Sequence, residues 1–165
     1  MTPHASVAER IVYGTPLDPA TDLVPIRVAP RSATAFIGRV LLSSMFLVSG
    51  IAKLTNPAET AGYMTAAGIP SADVLVYVAG LIEILGALSV LFGFLARLGS
   101  LGLALYLIPV SLTFHDFWNF TGAEQKTQLV NFLKNLTIMG GLLLLTSFGA
   151  GRYSIDAALR RPFQA

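Results

Sequence analysis

Hydrophobic and polar positions divide the chain into four long apolar runs separated by short polar stretches. The runs cover residues 34–51, 74–94, 98–114 and 129–148. A transmembrane helix needs roughly 20 mostly apolar residues, whereas a barrel strand alternates apolar and polar positions. Because backbone groups in lipid must be hydrogen-bonded within the protein, we predict an all-α membrane protein with a bundle of four transmembrane helices.

Composition agrees with this class and limits the chemistry. The chain is 54% hydrophobic and 12% charged, and it contains no cysteine. A thiol redox centre or a cysteine-bound iron–sulfur cluster is therefore excluded within this chain, and redox chemistry would require an organic cofactor, a metal or a partner. The net charge of +2 comes with arginines that flank the spans, so we expect no nucleic-acid partner.

Positive charges predict the topology. Four spans place both termini and the turn between the second and third spans on one side. That side carries Arg10, Arg27, Arg31, Arg97, Arg152, Arg160 and Arg161, and the opposite loops carry Lys53 and Lys126. The positive-inside rule then predicts cytoplasmic termini. We divide the chain into a proline-rich cytoplasmic tail (1–33), a membrane domain (34–151) and a cytoplasmic C-terminal tail (152–165).

Three ionisable residues interrupt the apolar runs: Arg39, Glu83 and Lys134. A charge near the bilayer centre costs about 2.5 to 3.5 kcal/mol, so such groups are expected to pair or to line a polar cavity. Glu83 lies about 13 Å from the outer end of its predicted helix, near the midplane. We predict that Lys134 pairs with Glu83, because Arg39 can reach the cytoplasmic headgroups instead.

Two readings of this polar set stay open. Asn131, Lys134 and Asn135 are spaced i, i+3 and i+4, so one face of the fourth helix is predicted to point into the bundle. The set is either a clamp that fixes the helix register, or the floor of an extracytoplasmic cavity with Lys53, His115 and Asp116 at its mouth. Metal binding is not predicted, since no Glu-x-x-His or His-x-x-x-His spacing occurs.

A family resemblance follows from motifs in a characteristic order. They are Gly-Arg-Val-Leu at 38–41, Phe-Leu-Val-Ser-Gly-Ile-Ala-Lys-Leu at 46–54, Glu83 in a glycine-rich helix, Phe-Gly-Phe-Leu-Ala-Arg at 92–97, His-Asp-Phe-Trp at 115–118 and Phe-Leu-Lys-Asn-Leu at 132–136. The chain resembles the DoxX family of small four-helix bacterial membrane proteins over about 36–156. Members are similar to the DoxD subunit of a thiosulfate:quinone oxidoreductase, and others are associated with membrane oxidoreductase complexes.

The resemblance implies a multi-pass protein of the bacterial inner membrane, associated with a redox system. We expect a quinone, or a similar amphipathic molecule, in an extracytoplasmic polar pocket; whether the protein is itself an enzyme stays open. The candidate catalytic residues are Glu83, His115 and Asp116. The candidate cofactor-binding residues are Arg39, Lys53, Trp118, Asn131 and Lys134.

Two alternatives remain. A small permease or exporter component would use the same charges to line a path, and four spans would then require a homodimer. A non-catalytic anchor would instead recruit oxidoreductase partner proteins to the lipid bilayer.

Overall fold

The computed structural model describes residues 31–159. Residues 1–30 and 160–165 lie outside it, and with them most of the predicted N-terminal tail and four arginines of the topology prediction. All regular elements of the described part are helices: α1 (Arg31–Thr55), α2 (Pro57–Ala66), α3 (Ala72–Phe92), α4 (Ala96–Phe114), a 3₁₀ helix (Phe117–Asn119), α5 (Gly122–Phe148) and α6 (Ile155–Leu159).

The prediction of four spans is confirmed, because α1, α3, α4 and α5 are each long and apolar enough to cross a membrane. Helix α5 begins at Gly122, about two turns before the apolar run, since its polar first segment contains good helix formers such as Glu124 and Lys126. A short helix, α2, follows in the loop between the first two spans. It begins with Pro57, a residue whose fixed φ suits the first helical turn.

Small residues bring the spans together. A Cβ on Gly50 of α1 would lie 2.9 Å from the carbonyl oxygen of Gly80 on α3, so these two backbones pack closer than any larger residue allows. Gly86 of α3 lies under the side chain of Leu103 of α4. The turn between α3 and α4 contains Gly93 at φ +67°, and the two helices are antiparallel neighbours.

The two ends of the bundle differ. We call the end with α2 and the 3₁₀ helix the α2 end, and the end with the α3–α4 turn the turn end. At the turn end, residues after α5 pack back onto the bundle, and the two carboxylate oxygens of Asp156 accept the backbone N–H groups of Leu95 and Ala96 at 2.9 and 3.1 Å. Asp156 thereby satisfies free donors at the start of α4.

Arg39 satisfies backbone carbonyl groups at the end of α3. It is 1% exposed, and its guanidinium donates to the carbonyls of Val90 and Leu91 at 3.3 and 2.8 Å, and to the carbonyl of Tyr153. These contacts satisfy carbonyls in the last turn of α3, where a positive charge is also favoured. The expectation that Arg39 extends to the lipid headgroups is therefore wrong.

Candidate functional site

The centre of the candidate site is an ion pair between α1 and α3. The Lys53 ammonium lies 3.0 Å from both carboxylate oxygens of Glu83, and the two side chains are 14% and 6% exposed. Glu83 is the twelfth residue of α3, about 16 Å from the α2 end of that helix and so near its middle. The close approach of α1 and α3 at their glycines brings the two side chains within reach.

Two hydroxyl groups complete this cluster. Tyr106 of α4 donates its phenolic hydrogen to Glu83 Oε1 at 2.9 Å, and Lys53 donates to Ser49 Oγ at 2.6 Å. The carboxylate thus has one cationic and one neutral donor, from two different helices. A buried charge is tolerated when it is paired and hydrogen-bonded in this way.

The predicted pairing of Glu83 with Lys134 is wrong. Lys134 is exposed, and its nearest polar contact is Asn131 Oδ1 at 3.5 Å. Asn135, one residue later, is buried and donates to Ser111 Oγ at 3.1 Å. Adjacent helical residues differ by about 100° in direction, so the interior face of α5 includes Asn135 and excludes Lys134.

A cavity of about 790 Å³ extends from this cluster toward the α2 end. All four spans and α2 contribute to its walls, which are mainly apolar; Phe46, Met64, Ile82, Val110 and Ile138 are examples. Polar groups occur at a few positions. Lys53, Glu83 and Tyr106 lie at mid-depth, whereas His115, Gln128 and Asn131 lie toward the α2 end. Ligand pockets commonly combine an apolar wall with a few convergent polar groups in this way.

His115 lies where α4 ends and is partly buried. Its Nδ1 atom is 2.9 Å from Gln128 Oε1, and the Gln128 amide donates to Glu124 Oε1 at 2.7 Å. This short chain leads from the cavity to the exposed first turns of α5. A histidine in such a place can pass protons between a cavity and water, because a neutral imidazole has one donor and one acceptor nitrogen.

Two neighbours of His115 lie outside the cavity lining. Asp116 accepts a hydrogen bond from the Asn119 amide at 2.7 Å. Trp118 is half exposed and packs edge-to-face against Phe117 and Phe132, with ring centroids 5.1 and 6.1 Å apart. This aromatic group has the composition of a membrane-interface belt.

The structure therefore brings together part of the predicted set. Lys53, Glu83, His115 and Asn131 line one cavity, whereas Arg39, Asp116, Trp118 and Lys134 do not. Within residues 31–159, no group of three His, Cys, Asp or Glu side chains is placed to hold a metal.

Sequence reasoning missed Ser49, Tyr106 and Gln128. Ser49 had a usable signal, because it precedes Lys53 by one helical turn. The signal for Tyr106 was weaker: the hydroxyl of a tyrosine deep inside an apolar span needs a hydrogen-bond partner. No signal in the sequence indicated Gln128, since a glutamine at the start of a span is as common as any other surface residue.

The polar groups that face the cavity can recognise an uncharged ring with oxygen substituents. Among the hydrogen bonds of the described residues, the Ser49 hydroxyl hydrogen and the Asn131 amide hydrogens have no acceptor, although the oxygens of both residues are engaged. Both residues line the cavity. They supply hydrogen-bond donors for a carbonyl oxygen of a ligand.

Comparisons with known proteins agree with the architecture. The DoxX family model matches residues 34–116. The chain is 40% identical to the inner membrane protein YqjF of Escherichia coli over 125 residues, which cover 76% of this chain and 91% of YqjF. It is 28% identical to the inner membrane protein YphA of the same organism over 128 residues, 78% of this chain and 91% of YphA.

A more distant match is the ER-derived vesicles protein ERV29 of Saccharomyces cerevisiae. It is 32% identical over 75 residues, which cover 46% of this chain and 24% of ERV29. No solved structure shows a significant match to the chain.

Proposed function

The chain belongs to the DoxX family and is a multi-pass protein of the inner membrane, and from this premise we propose that it binds a quinone, or an uncharged amphipathic molecule of the same kind. The ligand would occupy the cavity between the spans, and the protein would serve a membrane redox system together with oxidoreductase partners. One observation carries the proposal: a largely apolar cavity of about 790 Å³ that ends on a buried pair of opposite charges.

The charge balance of the cavity favours a neutral ligand. Lys53 and Glu83 are its charged lining residues, and their opposite charges cancel. An anionic or cationic headgroup would enter a low-dielectric space without a free counter-charge, which costs several kcal/mol. A ring with carbonyl or hydroxyl groups needs only hydrogen bonds, and the apolar walls favour its hydrocarbon tail.

Each polar residue has a role in this proposal. Ser49 and Asn131 donate hydrogen bonds to ring oxygens. Glu83 and Tyr106 hold Lys53 and Ser49 in position, and His115 exchanges protons with water at the α2 end. A bound quinone would supply the two-electron redox chemistry that the side chains of this cysteine-free chain do not offer.

Binding can be tested on the full-length protein in lipid nanodiscs. We expect native mass spectrometry to detect a co-purified quinone, and a short-chain quinone to bind by titration. Replacing Ser49 by Ala removes one donor, and we expect about five- to tenfold weaker binding, since a lost hydrogen bond costs about 1 kcal/mol. Ser44→Ala is the matched control, because Ser44 lies on the exposed face of α1 and bonds only to the Leu41 carbonyl.

The hydrogen bonds that Glu83 already accepts within the protein support a second candidate, the non-catalytic anchor. A carboxylate that already accepts hydrogen bonds from Lys53 and Tyr106 meets every requirement of a structural clamp. If wild-type protein binds no quinone, while changes in the cluster alter thermal stability alone, the anchor replaces quinone binding as the function.

A further inference from the structure

The cavity reaches the lipid-facing surface between α3 and α4. Val78 and Ile82 of α3 line the cavity and are 44% and 41% exposed, and Pro109 and Thr113 of α4 also line it and are exposed. A cavity-lining side chain with that exposure borders an opening, and Met45 of α1, which is 57% exposed, borders a second one away from α4. We call the opening framed by Val78, Ile82, Pro109 and Thr113 the α3–α4 window.

The window lies between two places where the helices touch. Toward the turn end, Leu103 of α4 fills the space over Gly86 of α3. Toward the α2 end, Phe114 of α4 packs against the cluster that contains Ala72 and Val76 of α3. The window therefore lies between two packed regions. It extends from Ile82, at the middle of α3, to Thr113, one residue before the end of α4, and so occupies the half of the two spans toward the α2 end.

Residue types at the window suit a passage for hydrocarbon. Pro109 has no backbone N–H, so the usual helical hydrogen bond to the Leu105 carbonyl cannot form there. Val78, Ile82 and Pro109 are apolar. A molecule crossing the window from the lipid would meet no charge until it reached the cluster behind it.

Tyr106 connects the window to that cluster. It is one helical turn from Pro109, is partly buried, and its hydroxyl reaches Glu83 across the interior. The window thus leads from the bilayer to the polar groups at mid-depth, whereas His115 and Gln128 line the same cavity closer to its α2 end.

We infer that the α3–α4 window is a lateral portal through which the ligand enters from the bilayer. The identity of the ligand rests on the proposed function; the portal itself does not. Its substrate class is a molecule dissolved in lipid, with a neutral ring that enters the cavity and an apolar chain that remains between Val78 and Pro109. Quinones with long tails meet this description, and water-soluble substrates do not.

A cysteine placed in the cavity tests the portal without any quinone, because the native chain has no cysteine. Ser49→Cys puts a thiol in the cavity beside the Lys53 ammonium, which favours the reactive thiolate. In proteoliposomes we expect it to react with a maleimide carried at the end of an acyl chain. Adding Val78→Trp should narrow the window and slow this reaction by about tenfold or more, as access controls thiol reactivity.

Matched variants give the controls. Val74→Trp makes the same change one turn earlier on α3, at a position that is 58% exposed and outside the cavity lining, and should alter the rate by less than about twofold. Ile82→Trp repeats the test if Val78→Trp does not fold. Met45→Trp narrows the second opening, on the α1 side of the cavity, and should have little effect because the ligand enters at the window.

Three results would overturn the portal. Labelling of Ser49→Cys by a water-soluble maleimide alone would mean entry from the α2 end. A rate lowered by Met45→Trp and unchanged by Val78→Trp would mean entry between α1 and α5. Equal labelling rates in all the tryptophan variants would mean that the ligand does not enter through the window. Absence of quinone binding with the expected labelling pattern would refute the proposed ligand and leave the portal standing.

Discussion

Replacing Glu83 by Gln removes one charge of the buried pair and almost nothing else. Lys53, whose side chain is 14% exposed, would then face a neutral amide at about the original 3.0 Å. Two unit charges at that distance attract by about 5.5 kcal/mol at an effective dielectric constant of roughly 20. Part of this is offset by desolvation, and breaking a buried pair from one side costs about 3 to 5 kcal/mol. We expect the free energy of unfolding to fall by about 3 kcal/mol.

A double-mutant cycle isolates the pair. Lys53→Gln should be similarly costly, whereas Glu83→Gln with Lys53→Gln should cost about 2 kcal/mol less than the sum of the single changes, because no unpaired charge remains. The free energies are measured by unfolding in mild detergent, followed by circular dichroism. Glu59→Gln, at an exposed position in the first turn of α2, should cost less than about 1 kcal/mol, since it removes only a favourable charge at the helix start. Strict additivity, or a Glu83→Gln variant as stable as the wild type, would refute the reasoning.

Three further changes test the supports of the site by thermal unfolding in detergent. Tyr106→Phe removes the hydroxyl donor to Glu83 and should cost about 1 to 1.5 kcal/mol, whereas Tyr77→Phe at a half-exposed position should cost nothing measurable. Gly93→Ala should cost more than about 1 kcal/mol, because φ is +67° and the new Cβ would lie 2.6 Å from Arg39 Nη1. Asp156→Ala leaves two N–H groups of α4 without their acceptors and should cost about 1 kcal/mol.

Much of the architecture was predictable because a polypeptide chain can cross a lipid bilayer in only a few conformations. An apolar run of about 20 residues has to be helical, and a short turn between two such runs has to make antiparallel neighbours. The same reasoning indicated that Glu83 would lie near the midplane and need a partner. Spacing along one helix was also informative: Asn135 faces the interior, as predicted.

The identity of the partner was not predictable from position along the chain. In depth, Lys134 and Arg39 lie on either side of Glu83. The sequence favours Lys134 because Arg39 can reach the cytoplasmic headgroups, and it places Lys53 at the mouth of the cavity. Two features of the fold reversed this choice. Helix α1 continues to Thr55, which keeps Lys53 on a rigid helix, and the contact between Gly50 and Gly80 brings that helix against α3.

The sequence by itself determined how many spans the protein has, how deep each ionisable group lies, and that the buried charges require partners. Only the tertiary structure decided which groups meet. Depth follows from a fixed rise of 1.5 Å per residue, whereas direction around the helix axis depends on how each helix is rotated against its neighbours. That rotation turned Lys134 outward, brought Tyr106 to Glu83, and left the α3–α4 window between two packed helices.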